Sequence, residues 1–271
     1  MDIIQRNFFC LLQKGALGND EQVEPMSLFK WKKLLLLSKR QEVENIVLKG
    51  MLRFNESEQT AVPQQVVDIL KSSETLKESN VIELPLTSLS NPILNKRLSK
   101  LRFTERHSTN MSSSTLDVLN IIVYNIVIML NHGLSLGAVL CLGKYIRSQR
   151  ENIDSAKLDQ WLHRLHITRL ANIQATMLNE YFGFSEDELP FNWHYEPMIQ
   201  SLVVHQLNRT NTLGENDDLK FWEGRLGFVH NNTPVLRRKI SAAFGYMKYA
   251  PIESISNFVK NVLDGLADIE E

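Results

Sequence analysis

The sequence predicts an all-α protein, an irregular bundle of about nine to ten helices with little or no sheet. Residues typical of helix starts and ends punctuate the chain. Between them, apolar residues recur three or four positions apart, as Leu158, Trp161, Leu162 and Leu165 do. Alternation with a period of two is scarce. "VIELPL" at 81–86 is the only strand-like stretch, and its proline disfavours a place inside a sheet.

The N-terminal region opens with an amphipathic helix in "MDIIQRNFFCLLQKG". Asp2, Gln5 and Arg6 stand where an export signal has a basic head and an unbroken apolar stretch, so we expect no export signal here. Ser27 precedes "LFKWKKLLLLSKR" as a helix cap, and Pro63 suits the first turn of "PQQVVDILKSSETL".

Similar signals predict helices along the rest of the chain. Caps, or prolines at the first helical position, open five of them: Asn91-Pro92, the serines at 112–114, Asp154, Thr233-Pro234 and Pro251. Gly183 closes the helix predicted in "ITRLANIQATMLNEYFG".

The stretch from 118 to 143 carries no charged residue and includes "IIVYNIVIML". A membrane span needs about 20 mostly apolar residues in a row. Polar side chains interrupt this stretch, namely Asn120, Asn125, Asn131 and His132. Gly133 and Ser135 then read as a helix stop and a new cap. We therefore predict two buried core helices and no membrane span.

Two polar segments divide the chain. Residues 72–90 are Ser-rich at their edges, and residues 104–114 directly precede the apolar stretch. The sequence predicts an N-terminal helical unit at 1–80 and a C-terminal helical unit at 91–271, either separate or packed as one domain.

Composition is that of an ordinary globular protein, with 43% hydrophobic and 23% charged residues. A net charge of −1 argues against a general binder of nucleic acids or membrane surfaces. Cys10 and Cys141 are far apart and form no ligand-like spacing, so they read as reduced, buried thiols of a cytoplasmic protein.

Three stretches of the chain resemble parts of a bacterial family of nucleotidyltransferases of the surface-polysaccharide type. They are "MDIIQRNFFCLLQKGAL" with "FKWKKLLLLSKRQEVENIVLKGML", then "NHGLSLGAVLCLGKYIRSQRENIDSAKLDQWLHRLHITRLANIQATMLNEYFGFSEDELPF", and finally "RRKISAAFGYMKYAPIESISNFVKNVL". The resemblance covers flanking helices only. It places Leu48-Lys49-Gly50 in a helix pair and not in the family's catalytic strand, so we predict a helix end closed by Gly50.

The catalytic core that the resemblance implies is missing from this sequence. Nucleotidyl transfer needs a Gly-rich turn for the triphosphate and paired carboxylates, Asp-x-Asp on a strand, for the metal ions. The chain has no Asp-x-Asp, its adjacent Asp217-Asp218 lies in the polar loop "GENDD", and residues 65–115 contain no glycine. Gly137 and Cys141 replace an Arg and an Asp of the family pattern. We predict a chain that is not an enzyme.

Other constellations favour structural roles. His163 and His166 are three residues apart on one predicted helix, but no third ligand lies nearby, so we predict no metal and no cofactor. Basic clusters at 30–33, 96–102 and 237–239 read as solvated faces of packed helices, so we predict no nucleic-acid partner.

The densest aromatic segment is "PFNWHYEP" at 190–197. One interpretation is a proline-bounded hinge that holds two helices together. The other is a partner surface formed by Phe191, Trp193, His194 and Tyr195, because aromatic side chains dominate the anchors of protein interfaces.

Two functions stay open at this point. The first is a non-catalytic helical protein that has lost a nucleotidyltransferase core and binds another protein, such as an active relative or a polysaccharide-synthesis enzyme. The alternative is a small-molecule or nucleotide binder, or an enzyme, that uses a cleft between the two helical units. The first predicts an exposed apolar patch, and the second a concave pocket with converging polar groups.

Overall fold

A computed structural model describes residues 1–19, 22–57, 62–72, 87–109, 111–212 and 251–270. These residues form eleven α-helices, two 3-10 helices and no strand, which confirms the predicted all-α fold. Four features named above lie outside the described residues: the stretch at 81–86, the pair Asp217-Asp218, the helix from Thr233-Pro234 and the basic cluster at 237–239.

The α-helices, numbered in chain order, are α1 Ile3–Leu17, α2 Leu28–Arg40, α3 Glu44–Ser57, α4 Gln64–Ser72, α5 Pro92–Arg106, α6 Ser113–His132, α7 Leu136–Gln149, α8 Ser155–Arg164, α9 Thr168–Phe182, α10 Ile199–Thr212 and α11 Pro251–Glu270. Single 3-10 turns at Arg150–Asn152 and Glu186–Glu188 follow α7 and α9.

Most of the predicted helix caps lie where the sequence places them. Asn91 and Asp154 accept backbone N–H groups at the starts of α5 and α8, and Gly183 ends α9 with a φ of 65°. Ser27 and Ser112 occupy cap positions without a side-chain capping bond. Helix α10 was not predicted, because no Ser, Thr, Asp or Asn directly precedes it.

Gly50 does not end a helix, so that prediction is wrong. Helix α3 continues through it to Ser57, although the helical interpretation of the segment is correct. Gly50 is required for a different reason: a Cβ atom at this position would lie 2.2 Å from the carbonyl oxygen of Leu11 in α1. A glycine that permits close approach and a glycine that terminates a helix look alike in sequence.

Each of the two helices α1 and α3 contributes one glycine to their close approach. A Cβ atom at Gly15 would lie 2.0 Å from the carbonyl oxygen of Ile46. Helix axes normally stay about 8–10 Å apart because side chains separate them. At this crossing the two backbones touch directly, and Arg53 of α3 also donates to the carbonyl oxygen of Lys14 at 2.8 Å.

Helix α1 also packs against α9, so residues from both predicted units share one hydrophobic core. The Phe9 ring lies 4.9 Å from that of Tyr181 and 5.9 Å from that of Phe182, measured between centroids. The buried amide of Gln13 donates to the carbonyl oxygen of Tyr181 at 2.8 Å. This contact satisfies a polar group that would otherwise be costly to bury.

The charge-free stretch forms α6 and α7 with a break at Gly133, as predicted. Within the described part of the chain, α6 is the one helix that is long and apolar enough to cross a membrane by length and composition, and 67% of that window is buried in the protein. The core helix of a folded domain passes the same test.

The polar residues of this stretch bond to neighbouring helices. Asn125 of α6 donates its side-chain amide to the carbonyl oxygen of Ala138 at 3.1 Å and to Oε1 of Gln174 at 2.9 Å. Gln174 of α9 donates in turn to the carbonyl oxygen of Ile122 at 3.3 Å. These buried bonds fix the relative positions of α6, α7 and α9.

The glycine crossing generates a stability prediction. We expect Gly50→Ala to lower the free energy of unfolding by about 3 kcal/mol, because the new methyl group overlaps backbone atoms that cannot move independently. Gly137→Ala is the matched control, since its Cβ would meet the nearest atom of Val43 at 3.4 Å, an ordinary contact. Better helix propensity should make it neutral or stabilising by about 0.5 kcal/mol.

Urea denaturation followed by circular dichroism measures both variants. Equal stability of the Gly50→Ala variant and the wild type would show that α1 and α3 do not approach as closely as described.

Candidate functional site

The aromatic segment 190–197 runs without regular secondary structure between the 3-10 turn Glu186–Glu188 and helix α10. Phe191 is 6% exposed and belongs to the hydrophobic core, so it is not available to a partner at the surface. Trp193 is partly buried against that core, whereas His194 and Tyr195 are exposed. Only the last three of the four predicted partner residues therefore reach the surface.

Contacts with α9 hold the end of this segment in place. Tyr195 donates its hydroxyl to a carboxylate oxygen of Glu180 at 2.9 Å, and this hydrogen bond raises the pKa of Tyr195. The backbone N–H of Glu196 donates to the hydroxyl of Thr176 at 3.0 Å. These bonds tie the segment to α9, as the hinge interpretation expects. Neither of them involves the indole of Trp193.

A groove of about 650 Å³ lies beside the aromatic segment. Three stretches supply its lining, namely the first turns of α8, the 3-10 turn after α9 and the aromatic segment: Ser155, Ala156, Asp159, Glu186, Asp187, Leu189, Phe191, Asn192, Trp193 and His194. Three of these residues are carboxylates, and none is Lys or Arg. The groove therefore combines negative charge with one indole face.

An ion pair positions the acidic turn. Arg147 of α7 donates to both carboxylate oxygens of Glu188, at 2.9 and 3.3 Å, and to the carbonyl oxygen of Gly183 at 3.2 Å. Its guanidinium lies 4.1 Å from the centroid of the Phe184 ring. Burial alone would raise the pKa of Glu188, but the bonds from Arg147 and the backbone N–H of Ser185 outweigh it and lower that pKa.

The 3-10 turn Glu186–Glu188 carries two further carboxylates, and both lie at the groove. Glu186 and Asp187 are both exposed and line it. The backbone N–H of Ser185 donates to Glu188 at 2.9 Å and closes a capping box around the turn. Arg147 and Glu188 thus neutralise each other behind the groove, while Glu186 and Asp187 contribute negative charge to its surface.

Asp159 supplies the third carboxylate, from the middle of α8. Its Oδ2 atom accepts the side-chain amide of Asn192 at 3.3 Å and lies 3.9 Å from Nε2 of His163. Its Oδ1 atom is shielded from solvent and has no hydrogen-bond partner among the described residues. Asn125 and Asn172 each hold a side-chain oxygen atom in the same state, so this feature is not particular to the groove.

The aromatic segment was visible in the sequence, but the carboxylates of the groove were missed. The run "SEDEL" directly before it was an available signal for Glu186 and Asp187. No sequence pattern joins Asp159 to this segment, because α8 reaches the groove through tertiary packing alone.

His163 and His166 do not converge on a ligand site. His163 is exposed near Asp159, whereas His166 lies past the end of α8 with a φ of 55°. Among the described residues, no three or more His, Cys, Asp or Glu side chains form a group that could hold a metal ion. His166 occupies the left-handed position that glycine usually fills after a helix.

The cysteines and the first two basic clusters are found in ordinary structural settings. Cys10 is 4% exposed, and burial raises the pKa of the partly buried Cys141 thiol. In the cluster at 96–102, Arg102 donates to Asn120 at 2.8 Å. In the cluster at 30–33, Lys33 lies over the ring of Phe29 at 4.8 Å.

The conformation of His166 generates a second stability prediction. We expect His166→Gly to raise the free energy of unfolding by about 1 kcal/mol, because glycine adopts a positive φ without steric cost. His163→Gly, in the last turn of the same helix, should lower it by about 1 kcal/mol. Chemical denaturation compares the two variants, and a loss of stability in both would show that the His166 side chain makes a stabilising contact.

The chain matches no protein-family model, no curated protein and no solved structure.

Proposed function

We propose that this chain is a non-catalytic binding protein whose acidic groove receives a cationic segment of a partner protein. One observation carries the proposal: Asp159, Glu186 and Asp187 line one open groove together with Trp193, and no Lys or Arg is among the lining residues. Lys and Arg side chains match this combination because they pair with carboxylates and stack on an indole face.

The geometry suits a flexible segment of a protein. Glu186 and Asp187 are exposed at the rim, so they contribute to the rate and selectivity of encounter more than to tight binding. Trp193 rests on the core while its surroundings remain open, as the aromatic anchors of interfaces do. The bonds of Tyr195 and Glu196 to α9 restrict the segment that carries Trp193, which reduces the conformational entropy lost on binding.

We further propose that the chain descends from the nucleotidyltransferases that its flanking helices resemble. The missing Asp-x-Asp pair and the glycine-free stretch at 65–115 support loss of the catalytic core. A partner from the same process, such as an active relative or a polysaccharide-synthesis enzyme, would then carry the cationic segment.

The alternative function is binding of a small organic cation in the same groove. The observation that favours it is the volume of the groove, about 650 Å³, which is within the range of small-molecule sites, together with the Asp159 carboxylate in its lining. A polyamine could place an ammonium group near this carboxylate, whereas a peptide would also need the rim carboxylates.

A labelled peptide of about nine alternating Arg and Ser residues, titrated by fluorescence anisotropy at low salt, tests the proposal. We expect saturable binding that weakens about tenfold in Trp193→Ala and about fivefold in the double variant Glu186→Gln, Asp187→Asn. Added salt should weaken binding further, since the rim charges are exposed.

Matched variants separate the groove from general charge and from the hinge. Glu42→Gln with Asp68→Asn removes the same charge from two exposed positions, one in the turn between α2 and α3 and one in α4, and should leave binding unchanged. Tyr195→Phe removes the bond to Glu180 while keeping the ring, and should change affinity less than Trp193→Ala. An equal loss of peptide affinity in the control double variant would show that net charge, and not the groove, determines binding. Binding of spermine but not of the peptide would favour the small-cation alternative.

The proposed loss of catalysis has its own test. With Mg²⁺ and each common nucleoside triphosphate, we expect no transfer of labelled nucleotide to the chain itself, to lysate proteins or to polysaccharide acceptors, for want of paired metal-binding carboxylates. Transfer by the wild type that disappears in an Asp217→Ala, Asp218→Ala double variant would contradict the proposal.

A further inference from the structure

Helix α11 packs with its polar side inward and its apolar side outward. Glu253, Ser254 and Asn257 are at most 2% exposed, whereas Ile252, Ile255 and Val259 are each 47% exposed. A surface helix normally does the reverse, because burial of apolar area is the main gain from packing.

Hydrogen bonds explain why the polar side faces the protein. The Glu253 carboxylate accepts the backbone N–H groups of Ser90 and Asn91, directly before α5. Asn91 donates its side-chain amide to the Ser256 hydroxyl at 3.0 Å. A carboxylate at a helix N-terminus is favoured by the exposed N–H groups and by the helix dipole.

A second set of bonds joins α11 to the end of α6. The side-chain amide of Asn257 donates to the carbonyl oxygen of Leu130 at 3.4 Å and to Oδ1 of Asn131 at 3.2 Å. The Ser90 hydroxyl donates to Oδ1 of Asn257 at 2.9 Å. Rotating the apolar side of α11 inward would break all of these bonds, so the helix is fixed with Ile252, Ile255 and Val259 facing out.

The exposed residues follow the heptad spacing of a coiled coil. Ile252, Ile255 and Val259 are separated by three and then four positions. In the sequence of the same helix, the alternation of three and four continues: Val262, Leu266 and Ile269. Six apolar residues at successive a and d positions are the pattern by which one helix recognises another.

Charge argues against a membrane as the occupant of this surface. Residues 251–271 contain five acidic residues and one basic residue: Glu253, Asp264, Asp268, Glu270, Glu271 and Lys260. Helices that lie on membranes are rich in Lys and Arg, which the anionic leaflet attracts. An acidic helix would be repelled from such a surface, so a second helix fits it better.

The positions beside the seam permit pairing with an identical helix. These e and g positions hold Ser256, Phe258, Leu263 and Gly265, and the first charge among them is Glu270 at the end. Charged e and g residues are what select different partners in coiled coils, and like charges there would reject an identical one. Because the e and g positions before Glu270 carry no charge, two copies of α11 can pair without repulsion there.

We propose that α11 forms an antiparallel coiled coil with α11 of a second copy of this chain. The acidic residues after 263 would lie side by side in a parallel pair, whereas an antiparallel pair keeps them at opposite ends. Ile255, Val262 and Ile269 at d positions also disfavour a parallel pair, which prefers Leu there. A helix of 20 residues is about 30 Å long, so the seam is short and the dimer is expected to have a micromolar Kd.

Light scattering after size exclusion, and sedimentation velocity at about 1 to 100 µM, test self-association. We expect the mass to rise with concentration toward twice 31.2 kDa. The double variant Ile255→Asp, Val259→Asp should stay at the monomer mass with unchanged circular dichroism, since both side chains are exposed. Phe29→Asp with Leu36→Asp, a somewhat more exposed apolar pair on α2, is the matched control and should dimerise as the wild type does.

Oxidative cross-linking tests the direction of pairing. Ile252→Cys mixed with Ile269→Cys should form a disulfide-linked dimer, and Ile252→Cys alone should not. Cross-linking of Ile252→Cys alone would overturn the antiparallel arrangement. A wild type that stays monomeric at about 100 µM would overturn self-association. A dimer that persists in the α11 double variant, or that is lost equally in the α2 control, would overturn the assignment of the interface to α11. Monomers that instead sediment with phosphatidylserine vesicles, dependent on Ile255 and Val259, would replace it with membrane binding.

Discussion

The direct backbone contact between α1 and α3 is the constraint on which the arrangement of the described helices depends. At Gly15 and Gly50 the absence of side chains brings the two helices together at van der Waals distance, and no other residue fits either position. Because α1 is held this way on one side, its opposite side is free to present Phe9 and Gln13 to α9. The N-terminal helices thereby become part of the same core as the helices that carry the groove.

Hydrogen bonds between polar side chains fix the relative orientation of the helices, which burial of apolar surface alone would not determine. Asn125 and Gln174 fix how α6 and α9 face each other, and Arg147 with Glu188 fixes the turn beside the groove. Each of these hydrogen bonds joins two different elements, so a rotation of one helix would break it and leave its buried or partly buried donor unpaired. The same principle holds for α11, whose buried Glu253 and Asn257 outweigh the pull of its own apolar stripe.

The sequence was sufficient for the fold class and for most helix boundaries, because caps and periodicity are local signals. Asn91, Asp154 and Gly183 could be assigned without knowledge of any neighbour. Gly50 could not, because its role depends on a backbone that lies 39 residues away in the chain, at Leu11. The inward-facing polar side of α11 was equally invisible, since hydrophobic periodicity alone predicts the apolar side as the buried one.

The candidate site likewise has a part that local sequence signals predict and a part that depends on tertiary packing. An aromatic segment could be predicted, but which of its rings reach the surface depends on packing, and Phe191 proved to be core. The carboxylates that give the groove its charge come from a turn and from α8, and only the fold brings them together.

Two features of the described surface each cost stability in the isolated chain. The Oδ1 atom of Asp159 is shielded from water without a hydrogen-bond partner among the described residues, and α11 holds three large aliphatic side chains in solvent. Other described residues share these features singly, such as the buried side-chain oxygen atoms of Asn125 and Asn172 and the exposed Phe29. The setting distinguishes these two: Asp159 lines an open groove, and the aliphatic residues of α11 form one row on a helix whose polar side is bonded inward. The two surfaces differ in chemistry, because the groove is acidic whereas the outer side of α11 is apolar, so a single partner surface would not match both. They are therefore best understood as two separate binding surfaces, the groove for a cationic segment and α11 for a second copy of the chain.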